Sequence, residues 1–239
     1  MSKQIRLMSL TQAPGREDHH RLGCGLRQIP PSGLSHVAGV VLAGGRSVRF
    51  GGEKAAAELA GEPLLMWAAQ RLQGSCAAVA VNARPGTEAE ALAQTAGLPV
   101  LHDAVGDATG PLAGVKVGLA WAQSMGARSL AVSPCDAPLL PSDLFVRLVA
   151  AAGPGAAMAE TPDGRQPLCA VWPVSALSTV VAALAGGAHP PTWRVLESVG
   201  AQRVHFESAA AFANLNTRAD LAAIAERVAR GEIQLESRE

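Results

Sequence analysis

Val40-Val-Leu-Ala-Gly-Gly-Arg-Ser-Val-Arg-Phe-Gly-Gly-Glu-Lys-Ala55 is the stretch on which the fold turns. An apolar run, Val37 to Ala43, stops abruptly in a glycine-rich, cationic turn, which is how a strand feeding a phosphate-binding loop reads. The run is apolar and β-branched enough for a strand buried on both faces, as in a parallel sheet covered by helices. Gly44, Gly45, Gly51 and Gly52 remove the Cβ where a backbone must turn tightly or lie close to a ligand, so that successive N–H groups can converge on an anion. Arg46, Arg49 and Lys54 add charge: guanidinium groups grip phosphate oxygens in a fork, and the Lys54 ammonium acts as a mobile point charge. Together they suit a triphosphate. Spacing excludes two common glycine loops, because Ala55 rather than Ser or Thr follows Lys54 and no Gly-x-Gly-x-x-Gly is present here. A surface hairpin with charges placed by chance is the alternative that this stretch alone leaves open.

Downstream, apolar runs alternate with helical patterns, which predicts a doubly wound, three-layer α/β/α architecture with a mostly parallel sheet. Strands are expected over 77–81, 99–102, 129–133, 156–159, 168–172 and 203–206. Leu112, Val115 and Leu119 share one helical face, as do Leu144 and Leu148 and, in the last helix, Leu221, Ile224 and Val228. In such sheets ligands sit beyond the carboxyl ends of the strands. Leu130-Ala-Val-Ser reads as a strand and Pro134-Cys-Asp-Ala-Pro138 follows at once, setting Asp136 just past its end between two stiffening prolines. A rigid carboxylate there suits Mg²⁺, a hard cation that takes a few carboxylates together with phosphate oxygens and water. A turn aspartate bonding its own backbone is the simpler alternative. Gly110-Pro111-Leu-Ala-Gly114 opens a helix, with proline at the first helical position and unpaired N–H donors directed outward. Thr217 and Asp220 read as a capping pair for the final helix.

Composition bounds the class. At 239 residues the chain can bury a sizeable core as one domain, expected over 37–229, between an N-terminal extension of poor order (1–36) and a short tail (230–239). Formal net charge is zero, so there is no basic field for nucleic acid or an anionic membrane, and any anion site must be local. No apolar run approaches the roughly 18 residues of a membrane helix, and none is placed as a signal peptide, which predicts a cytoplasmic protein. Cys24, Cys76, Cys135 and Cys169 are widely separated and read as reduced thiols, Cys135 as a small buried filler rather than a nucleophile.

Leu42-Ala-Gly-Gly-x-x-x-Arg49-Phe-Gly-Gly-x-Lys54 resembles the signature loop of the molybdenum cofactor guanylyltransferases, members of a nucleotidyltransferase superfamily that includes sugar-nucleotide pyrophosphorylases. The resemblance continues in order through Asn82, His102-Asp103, Gly110 to Gly114, Pro134 to Pro138, Gly164 to Ala170 and Asn214-Leu-Asn-Thr217, covering about residues 37 to 229. It implies a nucleotide-diphospho-sugar transferase-like fold and transfer of GMP from GTP to the terminal phosphate of the molybdenum cofactor's pterin, with Mg²⁺ and release of pyrophosphate. It also implies roles. Lys54, Arg49 and Asp136 would be catalytic, with Asp136 holding the metal. Leu42, Ala43, Gly44, Gly45, Lys54, Asn82, Asp103 and Asp136 would bind the nucleotide, Asp103 through guanine. Gly110, Pro111, Gly114, Arg165, Asn214 and Asn216 would lie on the acceptor side or support the site. Molybdoenzymes or their chaperones would receive the product. The alternatives are the cytidylyltransferase counterpart using CTP, whose loop tends to read Leu-Ala-Ala-Gly, a sugar-phosphate nucleotidyltransferase, and a non-catalytic nucleotide-binding protein that delivers the cofactor.

Overall fold

The computed structural model describes residues 36–45, 50–104 and 110–235. Residues 1–35 of the expected extension, with Cys24, lie outside the described residues, as do Arg46 and Arg49 of the glycine loop and residues 236–239 of the tail.

In chain order the elements are β1 (Val37–Leu42), β2 (Glu58–Leu59), β3 (Glu62–Pro63), α1 (Leu64–Gln73), β4 (Ala78–Asn82), α2 (Glu88–Thr95), β5 (Val100–Leu101), α3 (Pro111–Ser124), β6 (Ser129–Pro134), α4 (Leu144–Ala152), β7 (Ala157–Thr161), β8 (Gly164–Pro173), α5 (Leu177–Ala183), α6 (Thr192–Ser198), β9 (Gln202–His205) and α7 (Arg218–Ala229). Seven strands form one sheet in the order β5-β4-β1-β6-β8-β7-β9. All pairings are parallel except those of β8, which runs antiparallel to both β6 and β7. The expected mostly parallel sheet is therefore present. β8 starts four residues earlier than the apolar run suggests, because the Gly164 end pairs with β7 across a bulge at Met158/Ala159. The hairpin β2–β3 was not expected.

Alternation along β1 explains the layers. Val37 and Val41 face a core built with α1, α2 and α4, whereas Ala38 and Val40 face a second core built with α3, α5 and α6. The second layer lies close to the sheet because α3 presents glycine to it: a Cβ on Gly118 would meet Leu130 Cδ2 at 2.9 Å and Val40 Cγ1 at 3.1 Å. Leu112, Val115 and Leu119 are buried as expected, and so are Leu144 and Leu148. The α7 face differs. Leu221 and Ile224 are only half-buried, because α7 packs on a small satellite cluster of Leu59, Leu64, Trp67 and Leu215 rather than on the sheet. Among the described residues no helix is long and apolar enough to cross a membrane.

Three parallel strands end level. Leu42 is in register with Asn82 on one side and with Pro134 on the other. The segments that follow β1, β4 and β6 therefore leave the sheet side by side.

Candidate active site

A cleft of about 520 Å³ opens at that rim. Its floor is Leu42, Ala43, Gly44 and Gly45, with Ala43 N–H donating to the Asn82 carbonyl at 2.8 Å. On the β6 side stand Pro134, Cys135 and Asp136; the main-chain carbonyl of Asp136 accepts from Leu215 N–H at 2.8 Å, tying the loop before α7 to the end of β6. That loop is stiff. Thr217 caps α7 by accepting from Asp220 N–H, and the Asp220 carboxylate accepts from Asn216 N–H and Thr217 N–H, both at 2.8 Å, which is the expected capping box. These two main-chain bonds hold the Asp220 carboxyl below the ordinary carboxylate range.

Lys54 sits on a one-turn 3₁₀ helix, Lys54–Ala56, directly after the glycine loop. Its ammonium donates to Asp136 Oδ2 at 2.8 Å and to Asn216 Oδ1 at 3.3 Å. The two side chains keep only 12% and 20% of their surface in water, so the pair is mostly desolvated yet open on the cleft side. Residues 82 and 162 positions apart thus meet at one cation.

The opposite end is built from β4, β5 and α3. Asn82 is buried, and its side-chain amide donates to Asp103 Oδ1 at 2.9 Å and to the Leu101 carbonyl at 3.2 Å. Gly110, at φ 132°, and Pro111 line the cleft where α3 begins. Gly114 does not line it. Its role is close approach: a Cβ there would stand 2.5 Å from Asn82 Oδ1 and 2.6 Å from Leu42 Cδ2.

Two further expected acceptor-side residues lie off the cleft. Arg165 is turned to Glu197, at 3.1 Å, and stacks on Trp193 with its guanidinium 4.5 Å from the ring centre, because β8 carries it toward α6 rather than into the cleft. Asn214 supports from behind, its carbonyl accepting from the Asn216 amide at 3.4 Å. Arg84, Leu168 and Ala55 line the cleft although sequence reasoning passed over them. A cation two residues beyond Asn82, just past a strand's carboxyl end, was the available signal for Arg84.

Cys76, Cys135 and Cys169 are free thiols. Desolvation, reinforced by the Asp136 carboxylate, pushes Cys135 up to about 12, so it is protonated at neutral pH and makes a poor nucleophile.

The sequence model of the MobA-like NTP transferase domain matches residues 39–204. A molybdenum cofactor guanylyltransferase of Cereibacter sphaeroides is 40% identical over 187 residues, spanning 77% of this chain and 93% of its own length. The chain belongs to this guanylyltransferase family. Another member, from Ralstonia nicotianae, is 39% identical over 209 residues, 81% of this chain and 98% of its own length. The fold is that of molybdopterin-guanine dinucleotide biosynthesis protein A from Archaeoglobus fulgidus, with a TM-score of 0.65, 22% identity and coverage of 81% of this chain and 99% of that one. It is shared with 4-diphosphocytidyl-2C-methyl-D-erythritol synthase from Anaerococcus prevotii, with a TM-score of 0.63, 12% identity and coverage of 82% and 97%. Within the family's shared architecture, Lys54, Asp136, Asn82 and Asp103 of this guanylyltransferase-family chain all open onto one cleft.

Proposed function

We infer that the chain transfers GMP from GTP to the terminal phosphate of the molybdenum cofactor, forming the guanine dinucleotide and pyrophosphate. The observation that carries this reading is Lys54 bonded to Asp136 and Asn216 on the same cleft as the Gly44–Gly45 backbone and the Asn82–Asp103 pair. One end of the cleft offers cation and main-chain donors for a polyphosphate. The other offers a fixed carboxylate that accepts from the N1–H and N2–H₂ edge of guanine.

In the proposed step an oxygen of the acceptor phosphate forms a bond to the α-phosphorus, and the bond from that phosphorus to the bridging oxygen of the leaving pyrophosphate breaks. No covalent enzyme intermediate is required. Positioning two highly charged reactants and neutralising the departing pyrophosphate are what the residues contribute. Lys54 sits where it can exchange its Asp136 partner for a phosphate oxygen, and the loop amides add fixed donors.

The donor set fits Mg²⁺: one carboxylate, Asp136, with the Asn216 side-chain oxygen nearby, leaves the remaining positions for phosphate and water. When bound, the ion would neutralise phosphate charge. Asp136 would hold it, with Lys54 moving off that carboxylate. The cytoplasm, where GTP is made, is the compartment we assign.

The test is pyrophosphate release from Mg²⁺ and GTP, CTP or UTP, with the pterin cofactor or hexose phosphates as acceptor. Release with GTP and the pterin is expected. Preference for CTP would indicate the cytidylyl counterpart, preference for a hexose phosphate a sugar nucleotidyltransferase, and binding without release a delivery protein.

A further inference from the structure

We propose that Arg84 reads the O6/N7 edge of the guanine, completing base recognition begun by Asp103; the inference rests on the GTP reading above and extends it. Four observations carry it. Arg84 lines the cleft and is exposed, and among the described residues its guanidinium has no hydrogen-bond or ion-pair partner. It and Lys54 are the cations among the cleft's described lining residues, and Lys54 is bonded at the opposite end. The β4–β5 register pairs Val81 with Val100 and Asn82 with Leu101, so continuing it sets Arg84 level with Asp103. Asn82, which holds Asp103, and Arg84 both line the cleft, two residues apart at the carboxyl end of β4.

The backbone that carries Arg84 is well held. Ala83 N–H donates to the Leu101 carbonyl at 3.1 Å, and the Ala83 carbonyl contacts His102 Nδ1 at 2.9 Å. The Arg84 carbonyl accepts from the Thr87 hydroxyl at 2.6 Å, and Thr87 caps α2. A fixed backbone whose guanidinium is unengaged among the described residues offers a group to a ligand.

Chemistry selects the ligand atoms. Guanine presents donors at N1 and N2 and, on the adjoining edge, acceptors at O6 and N7. A carboxylate suits the first edge and the planar fork of a guanidinium the second. Neighbouring side chains of opposite charge, level with one another, match neighbouring edges of opposite polarity. Adenine would place an acceptor against Asp103 and an amine where Arg84 expects O6, so the Asp103 contact and the O6 half of the Arg84 fork would be lost and only N7 would remain.

Equilibrium binding needs no acceptor and isolates the claim. GTP, 7-deaza-GTP (which lacks the N7 acceptor) and ITP (which lacks the N2 amine) are titrated with Mg²⁺ into the wild-type chain, Arg84→Ala and Arg84→Lys. The wild type should bind 7-deaza-GTP about tenfold more weakly than GTP, in keeping with one bond of a bidentate contact. Arg84→Ala should bind both equally while still distinguishing GTP from ITP, and Arg84→Lys should restore part of the difference. Discrimination against 7-deaza-GTP that persists in Arg84→Ala overturns the proposal, as does an equal loss of all three nucleotides, which marks a phosphate contact. Failure of the wild type to bind GTP at all would overturn the parent reading as well.

Discussion

Lys54 ties three distant segments together, since its ammonium binds the carboxylate after β6 and the amide before α7 while its own turn follows the glycine loop. The pair is open to the cleft rather than sealed, so its purpose is a charge held ready for exchange, not a buried strut. Lys54→Ala and Asp136→Asn should each lower kcat by a factor on the order of 10² to 10³, the usual cost of one preorganised electrostatic group. Asp136→Asn keeps an oxygen to accept from Lys54, so its fold should match the wild type by circular dichroism. Near-normal turnover in either folded variant would remove both residues from the mechanism. Lys54 and Asp136 were legible in sequence because glycines and prolines flank them. Arg84 and Arg165 were harder: whether an arginine faces a cleft or a glutamate depends on partners such as Glu197, 32 positions from Arg165, which no local pattern reveals.

At the scale of elements, α3 separates packing from site geometry within one helix. Gly114 and Gly118 both face the sheet, but a Cβ at Gly114 meets Asn82 Oδ1, whereas one at Gly118 meets Leu130 and Val40. Gly118→Ala gains about 1 kcal/mol of helix propensity against an overpacking cost of about 1–3 kcal/mol. It should lose roughly 1 kcal/mol of stability in denaturant titration and leave the KM for GTP unchanged. Gly114→Ala should displace Asn82 from Asp103 and raise that KM by about tenfold, the worth of one hydrogen bond; an unchanged KM would mean that Asn82 does not position Asp103. The α7 cap carries a pH dependence. Because the folded Asp220 carboxyl lies below its unfolded value of about 3.9, its stabilisation is present above that pH and is lost as pH falls further through the folded value. Exchange protection of the Asn216 and Thr217 amides should therefore persist at pH 6, weaken as pH falls below the ordinary carboxylate range and vanish only once the folded carboxyl is protonated, and should be missing at both pH extremes in Asp220→Ala. The capping box was legible, since its chemistry is local. The hairpin β2–β3 was not: its turn is Ala60-Gly61, and Ala60 adopts φ 53°, where alanine sends no signal.

At the scale of the molecule, the sheet order decides which ends can share a ligand. β1 lies centrally between β4 and β6, all three parallel, so their carboxyl ends bring the glycine floor, Asn82 and Asp136 to one rim. Antiparallel β8 then closes the β6 side, delivering Leu168 to the cleft, and the loop before α7 folds back to it through the Leu215–Asp136 main-chain bond. The β4–β5–α3 end and the β6–α7 end meet beneath the cleft across β1 and where α3 packs on β6, so a nucleotide spanning both would add a further brace above the sheet. A ligand that binds only the folded state at 100 times its Kd stabilises it by about 2.7 kcal/mol, which for a chain of this size raises Tm by about 5–10 °C. Mg²⁺ and GTP together should give that shift in a thermal scan, and a chelator should remove most of it. In Asp136→Asn the Mg²⁺-dependent part should vanish while the part due to GTP alone survives, because the guanine end is intact. A full Mg²⁺-dependent shift in that variant would place the ion on other groups and separate the two ends of the cleft that the sheet brings to one rim.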